Sequence, residues 1–215
     1  MELSVLTREL HANERPQLLT HLLALDAEDR RLRFAHMLSD DGIRHYVEAI
    51  DLTHDAVFIV TDPDLAIIGA AHLAREDGHA ELGISVMPRS RGQGIGGALL
   101  GRCAARARNW GMRVMFMNCL VENTAMMHLA NKQGLKIAVS GAEAEAFVRL
   151  PRPDLGSLAA DAVAEHLGLF DHAQKSYWVK LHARLLQCDE PSRLGDTSTL
   201  ADPVVDDIVK NRRQS

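Results

Sequence analysis

The chain has 215 residues, of which 47% are hydrophobic and 25% charged, and a formal net charge of -5. That length and balance suit one globular domain with an appendage, and the acidic excess argues against nucleic-acid binding, which needs concentrated positive charge. The most apolar long window, residues 56–74, is interrupted by Asp62, Pro63, Asp64 and His72, so no membrane span is expected. The start of the chain lacks a charged-then-apolar secretory pattern, which makes cytoplasmic residence the default. Cys103, Cys119 and Cys188 are odd in number and not closely paired, and the 11 histidines show no ligand spacing. Neither a disulfide framework nor a metal site is expected.

Taken in order, residues 3–6 read as a short first strand. Pro16 suits the first turn of a helix carrying Leu18, Leu19, Leu22 and Leu23, because proline there sacrifices no hydrogen bond. Asp26 is a fitting cap for a helix over residues 27–37, and Asp40 or Asp41 for another that carries Ile43, Tyr46, Val47 and Ile50. Residues 56–61 and 65–74 are strand-like and flank the turn Asp62-Pro63-Asp64; Glu76-Asp77-Gly78 then leads into a strand over residues 79–86. Alternation places Ala80, Leu82, Ile84 and Val86 on one face of it and Glu81, Gly83 and Ser85 on the other.

Next comes Arg91-Gly92-Gln93-Gly94-Ile95-Gly96-Gly97, a turn from strand into an apolar-striped helix that ends at Gly111. Glycines there let backbone N–H groups approach an anion, and the helix start adds unpaired donors and the positive end of its dipole. A pyrophosphate is the guest this arrangement suits. On the same helix, Leu99, Leu100, Cys103, Ala107 and Trp110 form the apolar stripe, and Arg102, Arg106 and Arg108 read as its solvated face. A strand over residues 113–120, a helix from Val121 to Gly134 and a hairpin across Ser140-Gly141 come after it.

Two patterns overlap in the glycine turn. Gly92, Gly94 and Gly97 satisfy the dinucleotide spacing Gly-x-Gly-x-x-Gly, with Glu122 further on as the candidate ribose-binding acid, which would make the chain an oxidoreductase. Arg91, Gly94 and Gly96 give Arg-x-x-Gly-x-Gly, which resembles the acyl-CoA pyrophosphate loop of the GNAT N-acetyltransferase superfamily. The resemblance extends to the helix opened by Asn123 and closed by Gly134-Leu135, where Leu135 stands for the usual phenylalanine, and covers most of residues 1–150. Within the superfamily, residues 23–34 and 123–130 look like the GNAT domain of bacterial protein-lysine acetyltransferases.

The resemblance implies an α/β (α+β) GNAT fold, with a mixed, mostly antiparallel central sheet flanked by helices and a C-terminal helical extension. It implies acetyl-CoA as co-substrate, transfer of the acetyl group to a primary amine, and a lean towards a protein lysine, with a small-molecule amine as the alternative. The cofactor residues carried over are Ile84, Val86 and Met87 on the strand, Arg91, Gly92, Gln93, Gly94, Ile95, Gly96 and Gly97 in the loop, and Asn123 and Met126 on the later helix. Glu81 is the candidate general base, its alternative being an exposed carboxylate paired with a nearby arginine; His72 is the substitute. Many family members carry a tyrosine as general acid where this chain has Ala130, so no acid is assigned, and a non-catalytic acyl-CoA-binding module stays open.

The domain is expected to span residues 1–152. An extension over 153–188 reads as two amphipathic helices, 157–170 and 172–186, docked on the domain or on a second copy in a homodimer. The polar stretch 189–215 reads as disordered.

Overall fold

A computed structural model of the chain describes residues 5–188. Among the described residues, those up to Val179 form one compact unit, which contains the whole sheet, and those from Lys180 onward belong to a second. The sheet has seven strands: β1 (Arg8–Glu9), β2 (Ala56–Thr61), β3 (Ile67–Glu76), β4 (His79–Val86), β5 (Val114–Leu120), β6 (Lys136–Ser140) and β7 (Glu143–Arg149), in spatial order β1-β2-β3-β4-β5-β7-β6. Every pairing is antiparallel except β4 with β5. That parallel pair is short, running from His79↔Val114 to Glu81↔Phe116, after which the two strands part.

Strand β2 shows how the layers are built. Its alternate residues Ala56, Phe58 and Val60 enter one core, with Leu82 and Ile84 of β4 and with Leu99, Leu100 and Cys103 of helix α4 (Ile95–Asn109). Val57 and Ile59 enter the other, with Leu18 and Leu22 of α1 (Arg15–Leu23) and Ile43 and Val47 of α3 (Asp40–Ala49). Both faces of the strand are therefore dry, which explains its unbroken apolar run. The remaining helices are α2 (Ala27–Phe34), α5 (Thr124–Lys132) and α6 (Leu155–Cys188).

Several boundaries differ from the expectation for local reasons. Of the strand expected over residues 3–6, residues 3 and 4 lie outside the described residues and 5 and 6 are not in a strand; the first described strand is Arg8–Glu9, tied to Phe58 and Ile59, with its charged side chains satisfied by Glu14 and Arg106. Helix α3 is capped by Ser39, whose hydroxyl accepts from Gly42 N–H, while Asp40 and Asp41 occupy its first turn and favour its dipole. Helix α2 stops at Phe34 because Ala35 turns left-handed, at φ 61°. Strand β3 starts at Ile67, after Leu65 at φ 67° and an Asp62 carboxylate that accepts from Asp64 and Ala66 N–H.

The largest correction concerns the C-terminal extension, which is one continuous helix rather than two. No proline stands at residues 170–172, and Asp171 pairs with Lys175 one turn on. The helix docks on its own domain, and this overturns the reading of the α4 arginines as a solvated face. Arg102, 4% exposed, pairs with Asp161 and with Glu165 at 2.8 Å, its guanidinium lying 4.8 Å over the Phe58 ring. Arg106 pairs with Asp161 and Glu9, and Arg108 with Asp154. Gly168 faces Thr7 so closely that a Cβ would collide with the Thr7 carbonyl. The opposite side of α6 leaves Val163, Leu167 and Phe170 exposed. The expectation for residues 189–215 lies outside the described residues.

Candidate active site

The chain leaves β4 through a tight turn at Pro88–Ser90 and reaches α4 by way of Gly92 and Gly94, whose φ angles of 76° and 80° belong to the region glycine tolerates. The bond from Ala98 N–H to Gly94 O opens α4, so the N–H groups of Ile95, Gly96 and Gly97 precede the helical ladder. On the other side, Asn123 caps α5 by accepting from Met126 N–H at 3.1 Å. Between these helix starts, at the parting of β4 and β5, lies a cavity of about 630 Å³.

Its wall contains Ile84, Val86, Arg91, Gly92, Gly94, Ile95, Gly96, Gly97, Asn123 and Met126, which the structure brings together. Met87 N–H donates to Ile68 O at 2.9 Å, towards β3. By alternation the N–H groups of Ile84 and Val86 point the other way, into the gap beside β5. Met87 and Gln93 do not line the cavity: Met87 packs beneath α1 and α3, and the Gln93 amide donates to Arg89 O. His128, Leu129 and Lys132 do line it. The helical period turns His128 away from Ala130, and the two do differ: Ala130 is wholly buried in the core beneath α4, whereas His128 lines the cavity.

Helix α2 lies across the parted strands and is fixed at both sides. Asp29 pairs with Arg91 at 2.5 Å, Arg31 pairs with Glu122 at 2.6 Å, and Asn123 donates to Leu32 O at 3.4 Å. Glu122 pairs with Arg31 and does not line the cavity, which places it badly for a ribose-binding acid.

On the α2 side of the sheet, Glu81, Gly83 and Ser85 share the face read from the sequence, but that face is furnished rather than open. Glu81 is exposed at the last rung of the β4–β5 pairing, accepts from Asn118 at 3.3 Å and does not line the cavity. Gly83 is covered by the guanidinium of Arg33, where a Cβ would stand. Arg33 Nη2 donates to the Tyr46 hydroxyl at 3.0 Å. His72, opposite Gly83 on β3, donates from Nε2 to the Asp55 carboxylate at 3.1 Å and accepts at Nδ1 from Tyr46 at 2.8 Å. With both nitrogens engaged, His72 is a poor substitute base, and burial, aided by Arg33, lowers its pKa despite Asp55. His21 donates from Nδ1 to Ile67 O and accepts from Ser85 Oγ, both at 2.9 Å; burial pushes its pKa down to about 4.

None of Arg33, Tyr46, His21 and Asp29 stands out in the sequence as a site residue. Arg33 and Asp29 sit in a run of charges that looks like an ordinary helix surface, and no spacing rule links them to β4 some 50 residues on.

A glycine turn at a helix start stands beside the unpaired edge of a parted strand, an arrangement suited to a long nucleotide-linked thioester. The chain belongs to the Acetyltransferase (GNAT) family, whose model matches residues 19–135, more than half its length. It is a GNAT-type N-acetyltransferase that uses acetyl-CoA. Among solved structures, the GNAT domain of S. lividans PAT is 19% identical, with TM-score 0.59 over 67% of this chain and 89% of that one. YncA, a putative acetyltransferase from Salmonella typhimurium solved with acetyl-CoA, is 19% identical, with TM-score 0.53 over 69% and 97%. A phosphinothricin acetyltransferase from Sinorhizobium meliloti, in complex with AcCoA, is 18% identical, with TM-score 0.55 over 72% and 95%. No curated protein gives a significant sequence match. Among the described residues, no helix is long and apolar enough to cross a membrane.

Proposed function

We propose that acetyl-CoA binds with its pyrophosphate on the N–H groups of the Arg91–Gly97 turn and its pantetheine arm in the gap between β4 and β5. The observation that carries this is the coincidence of the two features in one cavity: a left-handed glycine turn at the α4 start, and a strand edge unpaired beyond Glu81. The Ile84 and Val86 N–H groups are then placed to polarise the thioester carbonyl, the charge-stabilising role that fixed backbone donors fill in acyl transfer.

The acceptor's neutral amine attacks the acetyl carbon; the C–S bond breaks as the C–N bond forms, CoA thiolate departs and the amine loses a proton. Glu81 takes, through water, the proton that the acceptor ammonium loses before it attacks, and the departing thiolate takes up the proton released after the attack; the Glu81 carboxylate lies on the acceptor side of β4 but outside the cavity wall. A primary amine with an ordinary pKa near 10.4 is mostly protonated at neutral pH, so a base is useful.

Of the two acceptor classes that the sequence leaves open, the small-molecule amine is the one we favour over a protein lysine. Its support is the roof over the acceptor face: Arg33 covers Gly83, Tyr46 covers His72, and α2 is fixed on both sides of the parted strands. The test is an acceptor screen with acetyl-CoA that follows release of the free thiol, setting small amines against lysine-containing peptides. Turnover with peptides alone would overturn the choice of acceptor and leave the acetyl transfer intact.

A further inference from the structure

Arg33 is the unexplained charge of the acceptor side. Its helix neighbours are neutralised, Arg30 by Asp40 and Arg31 by Glu28 and Glu122. Across the cavity, Arg91 is neutralised by Asp29. Among the described residues no carboxylate lies within ion-pair distance of Arg33. Its guanidinium has a hydrogen bond to Tyr46 and the ring faces of Phe34 and Tyr46, at 4.9 Å and 5.8 Å, and its buried Nε has no partner.

Tyr46 cannot supply the missing negative charge. Because the Asp55 carboxylate only accepts, His72 carries its proton on Nε2, and the Tyr46 hydroxyl must donate to the bare Nδ1. The phenol oxygen is left as a neutral acceptor for Arg33, a contact that orients the fork without balancing it.

The seat of this guanidinium is built. Gly83 does not have the positive φ that would demand glycine, yet a Cβ there would occupy the place of the guanidinium. The missing side chain therefore serves to let Arg33 lie on β4, one residue from Ile84. Arg33 lines the cavity together with Ile84, Ser85 and Val86, and also the small hollow behind it with Tyr46 and His72.

We propose that Arg33 binds the carboxylate of an amino-acid acceptor. This rests on the acetyltransferase reading above and narrows its substrate class. A planar guanidinium matches a carboxylate bidentately, and a half-buried cation without a counter-ion gains most from one. An amine without an anionic group meets only repulsion from Arg33. A carboxylate seated there places an amine two bonds from the carboxyl carbon beside the Ile84 and Val86 N–H groups, where the thioester is expected. A short amino acid fits that span; the long side chain of a peptide lysine does not need it.

The test uses the full chain, saturating acetyl-CoA and the free L-amino acids, each alongside its own carboxamide, with free-thiol release as the readout. The best amino acid is expected to exceed its carboxamide about 10- to 100-fold in kcat/KM, the range of a hydrogen-bonded charge pair. Arg33→Gln should bring that ratio close to unity, chiefly through KM, with acetyl-CoA affinity kept, and Arg33→Lys should restore part of it. Gly83→Ala, which leaves Arg33 in the chain but takes its seat, should also erase the preference and guards against misfolding of one variant. Equal use of acid and carboxamide, a preference that survives Arg33→Gln, or no amino acid accepted by a chain that binds acetyl-CoA would each overturn the assignment of Arg33. Failure to bind acetyl-CoA would bring down the acetyltransferase reading with it.

Discussion

Arg91, the first residue of the glycine turn, is held by Asp29 of α2 at 2.5 Å, so an acid stands beside the place proposed for a pyrophosphate. The Arg91 side chain is 48% exposed and that of Asp29 only 11%, so arginine is the partner with room to move. Asp29→Asn keeps the shape, removes a negative charge facing the phosphates and frees Arg91 to meet them. Acetyl-CoA should bind more tightly by up to about five-fold, since a partly exposed ion pair is worth roughly 0–1 kcal/mol. Weaker binding by calorimetry would mean that the pair positions Arg91 for the cofactor.

Glu81→Gln retains size and hydrogen-bonding reach but cannot accept a proton. Turnover should fall by about 10²–10⁴-fold at neutral pH, with acetyl-CoA affinity unchanged because the carboxylate lies outside the cavity wall. The loss should shrink as pH rises, because more amine arrives neutral. Wild-type turnover would return the proton to solvent; His72 is badly placed to take it, with Asp55 and Tyr46 on its two nitrogens.

The general course of the chain was legible because it is written in local rules. Asp26 does cap α2, Gly111 and Gly134 do turn left-handed at helix ends, and β4 alternates as read. Gly92, Gly94, Gly96 and Gly97 of the turn line one cavity with Ile84, Val86 and Asn123. What was not legible depends on contacts between distant segments. Nothing in the spacing of Arg102 shows that Asp161 and Glu165 will cover it, and nothing in Gly83 shows that Arg33 will lie on it. Charged residues next to one another in sequence look like solvent-facing surface until a second element closes over them.

The docking of α6 on α4 runs through buried ion pairs, and it is testable. Asp161→Ala with Glu165→Ala should leave Arg102 buried without a counter-ion, and breaking such a pair costs about 3–5 kcal/mol. Urea unfolding should show that loss. Adding Arg102→Met should recover much of it by removing the stranded charge. An unchanged midpoint in the double variant would show that the helix is held by other contacts.

His21 gives stability a dependence on pH. Its folded pKa of about 4 lies below the ordinary histidine value of 6.5, so the unfolded chain binds a proton that the native chain refuses. Its contribution is present above pH 6.5 and is lost as pH falls towards 4. The full interval amounts to about 3 kcal/mol, taking 1.36 kcal/mol per pH unit. His72 is lowered as well and acts in the same direction. Stability measured between pH 6.5 and 4.5 should therefore decline on acidification, and His21→Gln should flatten the slope. An equally steep slope in that variant would place the proton uptake elsewhere.

Calorimetric titration of acetyl-CoA into the wild-type chain and into Gly94→Asp tests the account at its centre. Gly94 combines a left-handed φ of 80° with a place at the N-terminus of α4, so aspartate there both strains the turn and sets a carboxylate against the pyrophosphate. The account predicts saturable binding by the wild type and none by a variant that still melts cooperatively. Equal affinity in the two proteins would contradict it and move the cofactor away from the glycine turn.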